Sequence, residues 1–409
     1  MEDRQLANPT GTGRRALALT AGGARGAYQA GVLQRVGEIS ALRDRPVPFE
    51  IITGASAGAI NGAAVAAYSE SLGAGTRRLA DLWSGLTVQQ VYRTGPGAVW
   101  ANARRLAADF TIGRLTGSTH TQALLDATPL RALLERELPM AGVARAIAAG
   151  RLHALAITAA GYHSGKSYTF IQGVRGHALW RKSRRIALAA TLEAAHVCAS
   201  SAIPLVFAPV ALSTGSTVAW FGDGAMRLTN PLSPAIRLGA DRLLAIGIRC
   251  HRTADDLTDR ELATAAPDLD SLGLPRRPPL AQICGVFLNA LFLDHLDADI
   301  DHLLRMNALV EAYTEPGAAR LAELREPMRV IEPLVMSPSQ DFAEIAHGLL
   351  HRLPRTVRWM LDALGRPDPR SADLTSYLLF DPEYTRALID IGYRDASERI
   401  DEIETFLRS

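Results

Sequence analysis

The sequence predicts an α/β protein with a mainly parallel central sheet that is covered by helices on both faces. Two observations near its beginning lead to this prediction. Short apolar segments that are typical of buried strands alternate with longer segments whose apolar residues recur at helical spacing. A turn rich in small residues joins each of these strands to the next helix, and this strand–helix–strand–helix order is typical of doubly wound sheets.

The N-terminal elements are predicted from these patterns in order. In the first helical segment, Val32, Leu33 and Val36 fall on one side. The predicted elements are a strand at residues 15–20, a glycine-rich turn at 21–26, a helix at 26–39, a strand at 49–53, a tight turn at 54–58 and a small-residue helix at 57–68.

The later elements follow from the same patterns. Residues 73–137 are expected to be mostly helical, with one helix starting at Thr128 and Pro129. For the basic residues 180–185, the start of a solvated helix is favoured over contact with anionic lipid headgroups. The other predicted elements are strands at residues 152–159 and 167–172 joined by a hairpin turn, a helix at 191–200, strands at 217–221 and 242–248, a polar surface crossing at 251–279 and mainly helices from residue 280 onward.

These elements divide the chain into three parts. Residues 1–13 are expected to be a disordered leader, residues 14–250 a catalytic domain, and residues 251–409 a linker with a mainly helical C-terminal extension. Residues 85–127 are a candidate lid over the cleft, because they carry three large apolar side chains. These side chains are Trp100, Phe110 and Leu115.

Composition and charge exclude several classes of function. The formal net charge of +2 is too small to argue for a nucleic-acid partner. The sequence has no apolar segment typical of a signal peptide and no run of about 18 strongly apolar residues. Its 3 cysteines are widely spaced and suit a reducing compartment. We therefore expect a cytoplasmic protein that makes at most transient, peripheral contact with a membrane surface.

The sequence GASAG at residues 54–58 has the spacing of a nucleophile elbow. In such an elbow, Ser56 occupies a sharp turn between strand and helix, so that its hydroxyl projects into a cleft. Gly54 and Gly58 are needed because the positions two before and two after the serine approach each other closely. The following helix offers its positive end to a developing oxyanion. The pattern is weak by itself, and a structural turn is the alternative.

The sequence AGGARG at residues 21–26 follows the first strand and opens a helix. A dinucleotide-binding fingerprint would need glycine at the position of Ala21. The favoured interpretation is an oxyanion hole, because adjacent glycines let backbone N–H groups turn toward one point. A plain turn is the third alternative. Arg25 is expected either to lock this loop through hydrogen bonds to carbonyl groups, which we favour, or to meet a lipid phosphate.

Asp223 lies just past a predicted strand, between Gly222 and Gly224. The flanking glycines leave the approaches to the carboxylate open. A carboxylate close to the Ser56 hydroxyl can accept its proton as a general base. A lone Asp-Gly pair is more often a turn, so this interpretation depends on the elbow and the glycine-rich loop.

A triad with a histidine base is disfavoured. Such a triad needs serine, acid and histidine in that chain order, and only His251 soon follows Asp223, at the start of a polar segment. His295 and His302 lie on an amphipathic segment that we interpret as a solvated helix face rather than a metal site. The aspartates of this segment are Asp294, Asp297, Asp299 and Asp301. The sequence therefore favours a Ser–Asp dyad without a metal.

Three segments in this order resemble the patatin-like phospholipase family. They are GGARGAYQAGVL at residues 22–33, GASAG at 54–58 and DGA at 223–225, with NPL at 230–232 and LGADR at 238–242 similar to the usual continuation. The resemblance covers about residues 15–250. The sequence SYLLFD at residues 376–381 and YRDA at 393–396 also resembles bacterial members with a helical tail. Ala21 stands where the family usually has the first of three glycines, and its methyl group is expected to shift the loop slightly.

The resemblance implies a three-layer α/β/α patatin-like fold, no cofactor and hydrolysis of acyl esters in phospholipids or related lipids. It also implies roles for individual residues. Ser56 would be the nucleophile and Asp223 the base, while backbone N–H groups of Gly22, Gly23 and Ala24 would hold the oxyanion. The supporting motif residues would be Arg25, Gly26, Gly54, Gly58, Gly224 and Ala225.

Two alternatives to hydrolysis stay open at this point. An acyltransferase or thioesterase would use the same dyad, since water and other acceptors attack the same acyl-enzyme. A non-catalytic lipid-binding module could have the same fold. The headgroup, the acyl position, the chain length and the oligomeric state are not predicted from the sequence.

Overall fold

The structure is a computed structural model, and it describes residues 13–95, 123–215, 217–250, 283, 295–313, 328–363 and 373–408. The expected leader, apart from Gly13, lies outside these residues. So do the expected surface crossing at 251–279 and most of the candidate lid, including its three large apolar side chains.

Nine strands among the described residues form one sheet. They are β1 (Arg14–Leu19), β2 (Ile51–Ala55), β3 (Ala154–Gly161), β4 (Lys166–Gly173), β5 (Arg185–Ala189), β6 (Val210–Ser213), β7 (Val218–Gly222), β8 (Ala240–Ile246) and β9 (Glu332–Met336). The main path runs β5-β4-β3-β2-β1-β8-β9, while β7 pairs with both β3 and β6. Strands β3, β2, β1, β8 and β9 pair in parallel, so the predicted mainly parallel sheet is confirmed.

Helices lie on both sides of this sheet. They are α1 (Gly26–Gly37), α2 (Ala57–Ala67), α3 (Leu72–Ser84), α4 (Val88–Val91), α5 (Thr128–Glu137), α6 (Ala141–Ala148), α7 (Ala194–Ser200), α8 (Ser233–Arg237), α9 (His295–Ala312), α10 (Phe342–Gly348), α11 (Arg355–Ala363), α12 (Asp373–Leu378), α13 (Pro382–Glu398) and α14 (Ile400–Arg408). Within the described part of the chain, no helix combines the length and the apolar character needed to cross a bilayer.

Successive side chains of the strands point to opposite faces of the sheet, and each face has its own hydrophobic core. Leu17 and Leu19 of β1 point into the larger core, which contains residues of α1, α2, α3 and α13. Ala16 and Ala18 point to the opposite face, where residues of α8 and α9 cover the sheet. Because successive strand residues face opposite sides, a strand with apolar residues at every position is buried on both faces. The α/β fold with helices on both sides is therefore confirmed.

Most of the strands and helices predicted near the site occur within about two residues of their expected bounds, including the hairpin of β3 and β4. The helix expected to begin in residues 180–185 is wrong. The chain instead enters β5, which pairs in parallel with β4, and Arg185 donates hydrogen bonds to Asn230 (3.2 Å) and Ser233 (3.0 Å). Strands β6 and β9 were not predicted either.

The C-terminal part of the chain packs closely on the N-terminal part. Strand β9 extends the sheet beside β8, and α13 lies against α1. The two helices approach so closely that a Cβ atom on Gly31 would lie 2.1 Å from the carbonyl oxygen of Ile389, and one on Gly392 would lie 2.2 Å from that of Tyr28. The division at residue 250 stays a prediction, but residues after it complete the sheet and the larger core.

The close approach of α1 and α13 predicts a strong effect of Gly392→Ala. The added methyl group would meet the backbone of α1, which has little room to move, so the helices must separate. Overpacking of this kind typically lowers the free energy of unfolding by about 1–3 kcal/mol. Thermal unfolding would measure the loss. Gly348→Ala is the matched control, because a Cβ atom there meets nothing within 4 Å; equal stability of both variants would contradict the prediction.

Candidate active site

Ser56 occupies a strained turn between β2 and α2. Its backbone has φ 54° and ψ −124°, a positive φ that residues other than glycine rarely adopt. A Cβ atom on Gly54 would lie 2.2 Å from the carbonyl oxygen of Gly58, and one on Gly58 would lie 2.2 Å from that of Leu19. The close approach that the sequence predicts on both sides of the serine is therefore confirmed, and it explains the glycine at each position.

Two serines that the sequence analysis missed hold this turn in place. The Ser56 backbone N–H donates to the Ser200 hydroxyl oxygen (2.9 Å), and the Ser200 hydroxyl donates to the carbonyl oxygen of Thr158 (2.6 Å). The Ser201 hydroxyl donates to the carbonyl oxygen of Ser56 (3.2 Å). Both peptide groups that flank the strained residue are thus fixed to the end of α7. Such support is what allows an unfavourable backbone conformation to persist.

Ser56 and Asp223 are in direct contact. The Ser56 hydroxyl donates to Oδ2 of Asp223 over 2.6 Å, and Oδ1 accepts the backbone N–H of Ala225 over 2.9 Å. Asp223 is 0% exposed and Ser56 is 2% exposed. The structure therefore brings together the two residues that the sequence singled out, 167 positions apart.

The position of Asp223 follows from strand pairing. Strand β7 pairs with the end of β3 and stops at Gly222, so Asp223 is the next residue at that end of the sheet. A Cβ atom on Gly224 would lie 2.0 Å from the carbonyl oxygen of Thr158, so only glycine fits there. Asp223 also caps the short turn Gly224–Arg227. Asp223 is thus both a turn residue and the hydrogen-bond partner of Ser56, so both interpretations of the Asp-Gly pair apply.

Burial dominates the electrostatics of Asp223. Loss of solvent raises the pKa of this carboxyl from 3.8 to about 7, although the hydrogen bonds from Ser56 and Ala225 act in the opposite direction. Burial penalises the charged form and raises the pKa of an acid. A group with a pKa near the working pH is well suited to accept and return a proton.

The glycine-rich loop between β1 and α1 has the conformation that glycine permits. Gly23 has φ 54° and begins the short helical turn Gly23–Arg25, which leads directly into α1. A Cβ atom on Gly22 would lie 2.2 Å from Cδ1 of Ile248, and one on Gly23 would lie 2.5 Å from the carbonyl oxygen of Tyr377. N–H groups at the start of a helical segment have no partner within it, so those of Gly23 and Ala24 are suitable donors.

A buried polar network fixes this loop relative to α2, and the sequence analysis missed it. The Asn61 side-chain amide donates to the carbonyl oxygen of Gly26 (3.0 Å) and to Oε1 of Gln29 (2.9 Å). The Gln29 amide donates to the carbonyl oxygen of Thr20 (3.0 Å), and the Trp83 indole donates to Oδ1 of Asn61 (2.7 Å). Satisfied buried networks of this kind make a local structure rigid.

Arg25 points into the protein and is 3% exposed. Its Nε donates to the Ser376 hydroxyl over 2.7 Å, and its guanidinium carbon lies 4.4 Å from the centre of the Tyr377 ring. The geometry thus favours the structural role over contact with a lipid phosphate. These two contacts are with a hydroxyl and an aromatic face, and the expected hydrogen bonds to carbonyl groups stay a prediction.

An apolar pocket opens at Ser56 and Gly23. Its volume is about 500 Å³, including solvent at its mouth. The other residues that line it are Ala57, Ile60, Leu82, Trp83, Leu86, Leu130, Leu133, Leu134, Ser201, Ile203, Phe207 and Phe380. Ala21 lines a different cavity, together with Ala225 and Ile248, and it is not among the residues that line the Ser56 pocket.

The solvated helix face expected around residues 294–302 is wrong for Asp299. This side chain is buried, and it accepts hydrogen bonds from the Asn230 side chain (3.0 Å) and the Leu232 backbone N–H (2.9 Å). Burial raises the pKa of its carboxyl, against those two hydrogen bonds. Asp299 therefore anchors α9 to the segment after the Asp223 turn. Among the described residues, no group of three or more potential metal-ligating side chains is close enough to hold an ion.

A family model described as patatin-like phospholipase matches residues 17–236. The match covers more than half of the chain and includes the glycine-rich loop, the Ser56 elbow and Asp223. The chain therefore belongs to the patatin-like phospholipase family, and the expected enzyme class, a lipid acyl hydrolase, is confirmed. A search of curated proteins gave no match.

Three solved structures are similar to this chain at low sequence identity. VipD from Legionella pneumophila has 13% identity and a TM-score of 0.33, covering 92% of this chain and 67% of VipD. Human GIVD cytosolic phospholipase A2 in complex with methyl gamma-linolenyl fluorophosphonate has 11% identity and a TM-score of 0.33. The similarity covers 97% of this chain and 60% of the phospholipase. The ExoU–SpcU complex from Pseudomonas aeruginosa has 13% identity and a TM-score of 0.22. The similarity covers 89% of this chain and 74% of the matched chain in that complex.

The raised pKa of Asp223 predicts a pH-dependent stability difference for Asp223→Asn. In the wild type, the unfolded carboxyl ionises near pH 4 and the folded one near pH 7, so stability is lost as pH rises between these values. Asparagine cannot ionise and escapes this loss. The variant should therefore gain stability relative to wild type from pH 4 to pH 8, by up to a few kcal/mol, since one pKa unit is worth about 1.4 kcal/mol.

Chemical unfolding at several pH values would measure this difference. Ser56→Ala removes one of the hydrogen bonds that lower the pKa of Asp223, so its folded carboxyl should ionise at a higher pH and its stability should keep falling to a higher pH than that of wild type. A stability difference between Asp223→Asn and wild type that is constant from pH 4 to pH 8 would contradict the prediction.

Proposed function

We propose that this protein hydrolyses acyl esters of phospholipids or related lipids through a Ser56–Asp223 dyad and an acyl-enzyme. The observation that carries this proposal is the 2.6 Å hydrogen bond from the Ser56 hydroxyl to a fully buried carboxylate. The strained elbow and the apolar pocket at the same serine add support. Family membership supports the substrate class.

In the first half of the reaction, Ser56 attacks the ester. Its Oγ bonds to the carbonyl carbon while its proton passes to Asp223, and the carbonyl oxygen becomes an oxyanion. The N–H groups of Gly22, Gly23 and Ala24 donate to this oxygen, in the manner of an oxyanion hole. When the intermediate collapses, the alcohol leaves with the proton from Asp223, and the acyl group stays on Ser56.

In the second half, water releases the acyl group. Asp223 takes a proton from the attacking water, whose oxygen bonds to the acyl carbon. Collapse of this intermediate releases the carboxylic acid, and the proton returns from Asp223 to Ser56. Asp223 thus ends in its starting state, and the net reaction consumes one water and one ester. The raised pKa of Asp223, about 7, supports this double role because the carboxyl gains and loses a proton easily near neutral pH.

The pocket at Ser56 supports an acyl chain as the group transferred. Most of the side chains that line it are aliphatic or aromatic, and burial of each methylene group is worth about 0.8 kcal/mol. An extended acyl chain could lie in this pocket with its carbonyl carbon at Ser56. The alcohol part of the substrate would then lie outside, toward solvent.

We also propose that the protein meets its substrate by transient contact with a membrane surface. Strand β7, which ends beside Asp223, exposes Trp220 (41%) and Val218 (70%). An exposed tryptophan is suited to the boundary between headgroups and acyl chains. These two side chains support the proposal. A Trp220→Ala variant should bind liposomes more weakly than wild type, and unchanged liposome binding would contradict the proposed role of Trp220.

Replacement of either dyad residue should abolish turnover. We expect Ser56→Ala and Asp223→Asn to lower kcat/KM by about 10⁴-fold, a loss typical when a nucleophile or its base is removed. A fluorophosphonate probe should label wild type and leave Ser56→Ala unlabelled. The measurements are fatty-acid release from phospholipid vesicles and mass spectrometry of the labelled peptide. Ser164→Ala and Asp44→Asn, both at exposed positions, are matched controls that should behave as wild type.

Full activity in Asp223→Asn would remove the dyad mechanism, and labelling of another serine would remove Ser56 as nucleophile. The same assay can separate hydrolysis from transfer. With lysolipid or a thiol acceptor added, free fatty acid should stay the main product. A dominant transfer product would make the protein an acyltransferase that uses the same acyl-enzyme. Vesicle binding without turnover of any ester would make it a lipid-binding module.

Narrowing the pocket should shift the preferred acyl chain toward shorter lengths. Leu134→Trp adds bulk at a buried position of the lining. Each methylene group excluded should cost about 0.8 kcal/mol, which is about fourfold in kcat/KM. Hydrolysis of esters with increasing chain length would measure the shift. Leu304→Trp, at an exposed position on α9, is the control; an unchanged chain-length profile in Leu134→Trp would place the acyl chain elsewhere.

A further inference from the structure

The segment at residues 376–380, called the C-terminal clasp here, lies beyond the part of the chain that the family model matches. It spans the end of α12 and the residues that lead into α13. All five of its side chains are buried. The proposed mechanism gives it no role, although three separate contacts connect it to the active site.

The first contact is the one with Arg25. Ser376 accepts the hydrogen bond from Nε of Arg25 over 2.7 Å, and the Tyr377 ring lies under the guanidinium group at 4.4 Å. Arg25 is the last residue of the short turn that starts at Gly23. A planar guanidinium that is bonded at its edge and stacked on its face has little freedom, so these two residues fix the end of the glycine-rich loop.

The second contact is backbone against backbone. The carbonyl oxygen of Tyr377 lies 2.5 Å from the position that a Cβ atom on Gly23 would take. Gly23 therefore rests directly on the clasp. A shift of Tyr377 would move Gly23, and Gly23 lines the pocket beside Ser56.

The third contact is at the Ser56 pocket. Phe380 lines the pocket that contains Ser56, and the Tyr92 hydroxyl donates to the carbonyl oxygen of Leu378 over 3.0 Å. The rings of Tyr92 and Phe380 meet edge to face, with centres 6.2 Å apart. The clasp is thus held from the pocket side as well as from the loop side.

We propose that the C-terminal clasp is a positioning element for the oxyanion loop, in which Ser376 and Tyr377 hold Gly22, Gly23 and Ala24 in the geometry needed to stabilise the transition state. This inference rests on the proposed hydrolase mechanism. Ser376 and Tyr377 are positioning residues, since they act on the loop through Arg25 and through the contact with Gly23. The oxyanion forms only as the reaction proceeds, so loss of this geometry should lower kcat more than it changes KM.

The molecule contains a matched control for this arrangement. On α1, Nε of Arg35 donates to the Ser397 hydroxyl over 3.1 Å, and its guanidinium lies 5.9 Å from the centre of the Tyr393 ring. These contacts also join an arginine of the N-terminal part to a serine and a tyrosine of the C-terminal part. None of the three residues lines the Ser56 pocket. Variants that lose these side-chain contacts show how much the loss of an arginine–serine–tyrosine cluster lowers stability when the cluster is not at the Ser56 pocket.

The experiment compares Ser376→Ala and Tyr377→Leu with Ser397→Ala and Tyr393→Leu in the full-length protein. The readouts are kcat and KM on vesicles, the rate of Ser56 labelling by a fluorophosphonate, and the thermal midpoint. We expect both clasp variants to lose about 10-fold to 100-fold in kcat and in labelling rate, because small misplacement of catalytic groups has effects of this size. KM should stay within about twofold, and the control variants should keep wild-type kcat. Tyr377→Phe, which keeps the ring under Arg25, should restore most of the activity.

Three results would overturn the inference. One is wild-type kcat in both Ser376→Ala and Tyr377→Leu, since the clasp would then only stabilise the fold. Another is a rise in KM with unchanged kcat, which would mean that the clasp contacts bound substrate. The last is an equal loss of kcat in the control variants. The proposed function fails by a different result, namely turnover that persists in Ser56→Ala.

Discussion

The hydrogen bond between the Ser56 hydroxyl and the Asp223 carboxylate is the interaction on which the other features of the site depend. It is short, and it is completely removed from solvent. A buried carboxylate needs partners for its oxygens, and this one has two, the Ser56 hydroxyl and the Ala225 N–H. Strand β7 therefore has to stop where it does, and the serine has to project from the end of β2 on a turn sharp enough to reach it.

This geometry explains why glycines surround the site. Ser56 has a strained backbone, and the chain around it leaves no room for side chains at Gly54, Gly58 and Gly224. The cost of the strain is offset by contacts from elements distant in the sequence, chiefly the hydroxyls of Ser200 and Ser201. The site is thus rigid because several parts of the fold converge on one turn, which is how strained functional residues persist in proteins.

Local spacing was enough to predict the alternation of strands and helices and the close approach of Gly54 to Gly58, because both depend on residues near in sequence. The residues that support the site were not predictable in this way. Ser200 is 144 positions from the residue it braces, and serine at a helix end is too common to signal such a contact. Strand β9 and the burial of Asp299 depend on residues that are distant in the sequence and adjacent only in the completed fold. The spacing of apolar residues within one segment does not show which other segment will pack against it.

The parallel pairing of β8 with β9 has a consequence for the order in which the protein can fold during translation. A nascent chain that has been synthesised only to residue 250 contains β8 with an unpaired edge, and its α1 has no helix packed against Gly31. Open strand edges and uncovered apolar helix faces are prone to aggregation. Until β9 and α13 have been made, the first 250 residues therefore expose a strand edge and a helix face that the completed fold covers.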